Sequence, residues 1–207
     1  AWAASPMATV SGPDGKLKVE ISVTDGHPQY SVTYLGKTML EGSPLGLLTN
    51  EGDFSTGMSF TEHTTGTVDK RYSQDKIKVS EVHYRANTLT CGFNNADGRE
   101  ISVQFQVGDN AIAFRYELPQ LGDRHACVVQ NEATGYRFPA HTTTFLSPMM
   151  EPMTAFARTA PSYESGYEAD APMSGNNARY GYVFPALFRI GDDGWVLLSE
   201  TGVRSLY

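Results

Sequence analysis

The feature that most constrains this chain is an alternation of period two that restarts after each cluster of turn residues. In Lys16-Leu17-Lys18-Val19-Glu20-Ile21-Ser22-Val23, the apolar Leu17, Val19, Ile21 and Val23 share one face and the polar residues share the other. Pro13-Asp14-Gly15 precedes it and Asp25-Gly26-His27-Pro28 follows it, both turn signals. Tyr30-Ser31-Val32-Thr33-Tyr34 repeats the alternation and Gly36-Lys37 closes it, which predicts a hairpin. Further strands are predicted over 76–84, 88–93, 100–107, 111–118, 180–190 and 195–200. The links Asn94-Asn95-Ala96-Asp97-Gly98, Gly108-Asp109-Asn110 and Gly191-Asp192-Asp193-Gly194 read as hairpin loops. No stretch of about 12 residues carries a clean helical period. Regularly spaced short strands with turns between them predict an all-β fold, an antiparallel sandwich or barrel.

Length and charge exclude several alternatives. The 207 residues fit one all-β domain, which commonly runs to roughly 200–250 residues. A charged fraction of 19% against a hydrophobic fraction of 40% permits a core and argues against wholesale disorder. The net charge of −7 disfavours nucleic acid and anionic membrane surfaces, which are gripped mainly through Lys and Arg. No run of about 18 apolar residues occurs, so no membrane-spanning helix is expected. The N-terminus has no charged region leading into an apolar stretch, so no signal peptide is read in this chain. Cys91 and Cys127 both fall in apparent strands and read as buried free thiols, and no spacing of Cys or His suggests zinc.

One region breaks the pattern. From Phe138 to Met173 the alternation is lost, and Pro139, Pro148, Pro152, Pro161 and Pro172 interrupt the chain. Structureless segments of this length tend to be functional or disordered. The aromatic Phe145, Phe156, Tyr163 and Tyr167 favour an ordered, packed loop. Within it, Pro161-Ser162-Tyr163-Glu164-Ser165-Gly166-Tyr167 sets one carboxylate between two tyrosines. Loops on a rigid scaffold often carry function. An ordinary polar loop whose tyrosines cover a sheet edge is the competing reading. The chain stops at Val203-Arg204-Ser205-Leu206-Tyr207 as another strand begins, which suggests a piece of a longer protein with its last sheet incomplete.

Several segments, taken in order, resemble the N-terminal domain of glycoside hydrolase family 97. They are Ser11-Gly12-Pro13-Asp14-Gly15-Lys16-Leu17-Lys18-Val19, then Gly26-His27-Pro28-Gln29-Tyr30-Ser31-Val32-Thr33-Tyr34 with Leu35-Gly36-Lys37, then Ser43-Pro44-Leu45-Gly46-Leu47. The most recognisable block is Asp109-Asn110-Ala111-Ile112-Ala113-Phe114-Arg115-Tyr116-Glu117-Leu118-Pro119, followed by Glu132 and the Pro161 to Tyr167 loop. Each is a generic β segment; their order and spacing carry the likeness, which covers nearly the whole chain.

The resemblance implies that residues 1–207 are the N-terminal domain of a larger α-glucosidase or α-galactosidase. Its fold would be an antiparallel β-supersandwich like that of galactose mutarotase. It would pack on a catalytic (β/α)8 barrel that bears the catalytic carboxylates and is not part of this sequence. The substrate would be an α-linked oligosaccharide, and the location periplasmic or otherwise exported. In that family an N-terminal glutamate joins barrel glutamates around a calcium ion. The Tyr-Glu-x-x-Tyr pattern puts that role on Glu164, with Glu168 and Asp170 as second choices. Calcium takes 6–8 oxygen ligands, so a lone Glu164 would be a half-site, and the isolated chain is not expected to hold the ion. Tyr163 and Tyr167 are the substrate-binding candidates; these two, with Phe156 and Trp195, could stack on a sugar face or simply pack. Glu117 and Glu132 read as structural, pairing with Arg115 or Arg137.

Two other functions compete. A free-standing β-sandwich with exposed aromatics could bind carbohydrate without catalysis. A sugar 1-epimerase would need a general acid and base facing one pocket, for which His125 or His141 with Glu132 or Glu164 are the available sets. An open sheet edge after Tyr207 predicts self-association of the isolated chain.

Overall fold

The computed structural model describes residues 5–76, 78–120, 126–149 and 166–202. The chain divides into two compact units, Ala1–Arg137 and Phe138–Tyr207. Among the described residues there is no α-helix, and one 3-10 turn at Met173–Gly175 is the sole helical element.

The first unit opens with four antiparallel strands in sequence order: β1 (Ala8–Ser11), β2 (Leu17–Thr24), β3 (His27–Tyr34) and β4 (Lys37–Pro44). The alternation read from the sequence is the burial pattern: Leu17, Val19 and Ile21 are buried, and Val23 is half-buried near the strand's end. Two-residue turns at Asp25–Gly26 and Leu35–Gly36 join β2 to β3 and β3 to β4. All four turn residues have positive φ, the geometry that matches the strands' own twist. The first turn is tighter than the sequence suggested, and His27 and Pro28 already belong to β3.

Short strands β5 (Leu47–Thr49) and β6 (Gly52–Asp53) follow. Then come β7 (Ser59–Ser73), β8 (Glu81–Asn94), β9 (Glu100–Val107) and β10 (Ile112–Glu117), which form a second sheet in the order β10-β9-β8-β7. Strand β11 (Val129–Glu132) pairs with β5. Two differences from the sequence reading stand out. Residues 76–84 and 88–93 are not separate strands: the intervening Arg85, Ala86 and Asn87 are held in one continuous β8 by pairing to β7. And β7, with 15 residues, was not predicted at all, because its side chains are polar on both faces.

The two four-stranded sheets face each other. Strand β1 contacts β8 and β2 contacts β9, and Val19, Ile21, Tyr30 and Val32 of the first sheet and Leu89, Phe93, Ile101, Val103, Phe105 and Val107 of the second are all buried. Each fully buried side chain of this size contributes about 1.5–3 kcal/mol. Tyr30 bridges the layers, its ring centroid 6.0 Å from Phe105 and 5.6 Å from Phe114. Its hydroxyl donates to the Gly135 carbonyl at 3.1 Å, and burial raises the phenol well above its ordinary range. Cys91 lies in this core, and burial pushes its thiol up to about 12, which makes it inert. Cys127 departs from expectation: it is exposed and precedes β11 rather than lying in a strand, because only Val129–Glu132 finds a partner strand there.

Two backbone contacts fix the sandwich. Gly12 sits so close to the turn after β9 that an added Cβ would lie 2.1 Å from the Gly108 carbonyl oxygen. The same junction is bonded by Asn87 Nδ2 to the Ser11 carbonyl at 2.8 Å and by the Asp14 N–H to Asp109 Oδ1 at 2.9 Å. Gly46, at φ +148°, leaves no room for a side chain against Ser55, and its N–H donates to the Tyr116 hydroxyl at 2.9 Å. That hydroxyl also bonds Thr134 Oγ1 at 2.6 Å; burial, only partly offset by these bonds, pushes its pKa up to about 12.

The second unit is a four-stranded antiparallel sheet in the order β13-β12-β14-β15, made of β12 (Thr142–Phe145), β13 (Ala171–Pro172), β14 (Ala186–Ile190) and β15 (Gly194–Leu198). Thr142, Thr144, Ala186, Phe188 and Ile190 are buried on one face, where Phe138 stacks on Phe188 at 4.1 Å. So the stretch Phe138 to Met173 is not wholly a loop: it contains β12 and β13, strands too short and too threonine-rich to show an apolar period.

Two outcomes follow. Gly12→Ala forces the two turns apart and should cost about 1–3 kcal/mol, read as a lower urea midpoint at unchanged m. Asp53 supplies the second: burial would raise its pKa, but bonds from the Ser55 hydroxyl and N–H at 2.7 Å and from Thr56 at 2.8 Å outweigh this and lower it. Its stabilising contribution is therefore complete above the unfolded value of 3.8 and lost as pH falls through the depressed folded value. Asp53→Asn should flatten the stability profile between the depressed folded value and 3.8, and leave the profile above 3.8 parallel to the parent's.

Candidate functional site

The outer face of the second unit's sheet brings polar, charged and aromatic side chains together. Cross-strand register sets them in rows. Thr143 lies opposite Arg189 and Arg189 opposite Trp195; one row along, Phe145 lies opposite Leu187 and Leu187 opposite Leu197. Period two sends all six to the face away from Phe188 and Ile190. Trp195 is 56% exposed and Leu197 is 62% exposed.

Tyr167, the substrate-binding candidate that falls within the described residues, stands beside this face. It is 59% exposed, with its ring 6.4 Å from that of Phe145, which in turn lies 5.3 Å from Trp195. Tyr163, Glu164 and Phe156 lie outside the described residues. The stem flanking that segment is defined: Pro148 bridges Tyr182, the Met149 N–H donates to Gly181 O at 2.9 Å, and the Val183 N–H donates to Ser147 O at 3.1 Å.

The acidic candidates separate by their partners. Asp170 accepts from Thr143 Oγ1 at 2.8 Å and pairs with Arg189 Nε at 2.8 Å. Its carboxylate thus holds a turn residue at φ +56° against the sheet. Arg189 also lies over the Trp195 ring at 6.0 Å, a cation–π contact. Glu168 is exposed. Glu117 pairs with Arg115, one of the two arginines expected for it, and Glu132 is exposed on β11. His141 faces Asp193 at 3.7 Å. His125 lies outside the described residues.

Among the described residues, no three His, Cys, Asp or Glu side chains are placed to hold a metal ion. No described helix is long and apolar enough to cross a membrane. A shallow cleft of about 260 Å³ is lined by His83, Arg85 and the turn from Gly108 to Ala111; His83 there is bonded to Asp69 at 2.8 Å, and Asp109 to the Asp14 backbone. Among the described residues, neither place assembles a pair of unengaged carboxylates.

The family model for the N-terminal part of glycosyl hydrolase 97 matches residues 10–207, and the chain belongs to that family. A probable retaining α-galactosidase of Streptomyces bingchenggensis is 26% identical over 207 residues, all of this chain and 29% of the relative. Among solved structures, a β-arabinopyranosidase is 53% identical with a TM-score of 0.90, covering 95% of this chain and 32% of that one. A family 97 enzyme of a Pseudoalteromonas species, solved with panose, is 25% identical with a TM-score of 0.73 over 88% of this chain and 26% of that one. The chain thus spans about a third or less of the length of these relatives.

The Asp170 turn can be dissected. Asp170→Ala removes both side-chain bonds and leaves a Cβ at positive φ, and should cost about 1 kcal/mol. Asp170→Gly removes the same bonds but relieves the backbone, so thermal unfolding should rank it above the alanine variant.

Proposed function

We propose that this chain is the N-terminal domain of an exo-acting, retaining glycosidase that removes a terminal galacto-configured sugar. It closes one side of a pocket whose catalytic carboxylates lie on a (β/α)8 barrel elsewhere in the protein. The observation that carries this reading is the 53% identity and TM-score of 0.90 with a β-arabinopyranosidase, alongside a relative named for α-galactoside hydrolysis. The two substrate names converge chemically. A β-L-arabinopyranoside has the ring stereochemistry of an α-D-galactopyranoside and lacks only its C6 carbon. An α-glucoside differs at the C4 hydroxyl; that alternative draws on the panose complex, at 25% identity.

Retention requires two carboxyl groups about 5–5.5 Å apart, one attacking the anomeric carbon and one protonating the leaving oxygen. This reading assigns both to the barrel. The domain's share is Glu164, as one oxygen ligand of a calcium ion whose other ligands come from the barrel, with Tyr163 and Tyr167 at the pocket rim. Calcium bound there supplies Lewis-acid character and orients the sugar. Asp170, a second choice for the ligand, spends its carboxylate on Arg189 and Thr143, which leaves the ligand role to Glu164 in this reading. An α-linked oligosaccharide substrate and an exported, periplasmic enzyme complete the reading.

The full-length protein tests it. Aryl α-galactoside and β-L-arabinopyranoside should both be cleaved, with aryl α-glucoside far slower. Chelation should abolish activity, and Glu164→Gln should weaken calcium binding by at least about tenfold, while Glu168→Gln leaves it unchanged. Cleavage of the α-glucoside alone would refute the galacto assignment, and calcium affinity indifferent to Glu164→Gln would refute the ligand role.

A further inference from the structure

We propose that the β7 edge is a self-association surface on which two copies of the chain pair strand to strand. The sequence reading places self-association after Tyr207, outside the described residues; the structure points instead to β7. This strand ends the order β10-β9-β8-β7, so one side of its backbone is left unpaired within that sheet. It runs for 15 residues without proline, and apart from half-buried Phe60 and Val68 every residue is exposed. Long open edges of this kind are templates for another strand.

The pattern along β7 specifies the partner. Two identical strands related by a two-fold axis normal to the sheet pair antiparallel, with one residue facing itself. Centred on Gly66, the register opposes Glu62 with Lys70, His63 with Asp69, Thr64 with Val68 and Thr65 with Thr67. Symmetry repeats every pair, so acidic residues face basic or imidazole groups at four positions and no like charges meet. Opposite charges directly across two strands favour the pairing, and like charges there oppose it. The neighbouring registers are worse. Centring on Thr65 opposes Glu62 with Val68, and centring on Thr67 opposes Glu62 with Tyr72 and His63 with Arg71. Gly66 at the axis has no side chain to meet its twin. The pairing of β7 to β8 is regular from Glu62 onward, because the single bulge lies between Phe60 and Glu62. Asp69 can keep its bond to His83, since a carboxylate offers about four acceptor sites.

Sedimentation equilibrium of the full-length protein over a dilution series tests this. The parent should show a concentration-dependent dimer. Lys70→Glu and Glu62→Lys each oppose like charges at both ends and should raise the dissociation constant by about tenfold. The double variant Glu62→Lys/Lys70→Glu restores opposite pairs and should return the constant to the parent's value. All these positions are exposed, so circular dichroism should be unchanged throughout. A parent that stays monomeric, singles that dimerise like the parent, or a double variant that stays as weak as the singles would each overturn the proposal.

Discussion

Much of the first unit follows from the burial of one tyrosine. Tyr30 lies between the two sheets, and a buried phenol must give its hydroxyl a partner. It finds the Gly135 carbonyl, which draws the chain after β11 toward the first sheet. Its ring meets Phe105 and Phe114, so the same side chain sets how β3 stands over β9 and β10. Tyr116 repeats the device on a smaller scale, holding Gly46 and Thr134 with one hydroxyl. These polar anchors in an apolar interior fix which strands face which, while the surrounding Val, Ile, Leu and Phe supply the bulk of the driving force.

The second unit divides its sheet between two tasks. One face is core, with Phe138 stacked on Phe188. The other presents Phe145, Trp195 and Leu197 beside the ion pair of Arg189 and Asp170. Asp170, a second choice for the metal role by its nearness to Glu164 in sequence, clamps a left-handed turn to Arg189 and Thr143 in the fold.

The sequence was most legible where one face is buried and the other wet. Strands β2, β3, β9 and β14 announce themselves because their apolar residues fall at every second position. Strand β7 was illegible for the same reason: Ser59–Ser73 buries neither face fully, so no periodicity exists to detect, and its conformation comes from pairing along β8. Its threonines and Val68 favour extended backbone, the one signal that could have found it. Arg85, Ala86 and Asn87 look like a break because strand propensity is weak there, yet β8 runs straight through on pairing. Cys127 was misjudged by treating any short apolar run as buried. For the site, Tyr167 is exposed and lies beside the Phe145 ring. The row of Thr143, Arg189 and Trp195 was not foreseen, because cross-strand register joins residues up to 52 positions apart, and no local pattern encodes it.

In the proposed function, this domain lends a residue to an active site completed by another part of the protein. The direct measurement is a crystal structure of the full-length protein with calcium and galactose. The expected result is a calcium ion with a Glu164 oxygen at about 2.3–2.6 Å, barrel carboxylates completing its shell, and the sugar beside it. A galactose-bound pocket lined by the barrel alone, with Glu164 pointing to solvent, would contradict it.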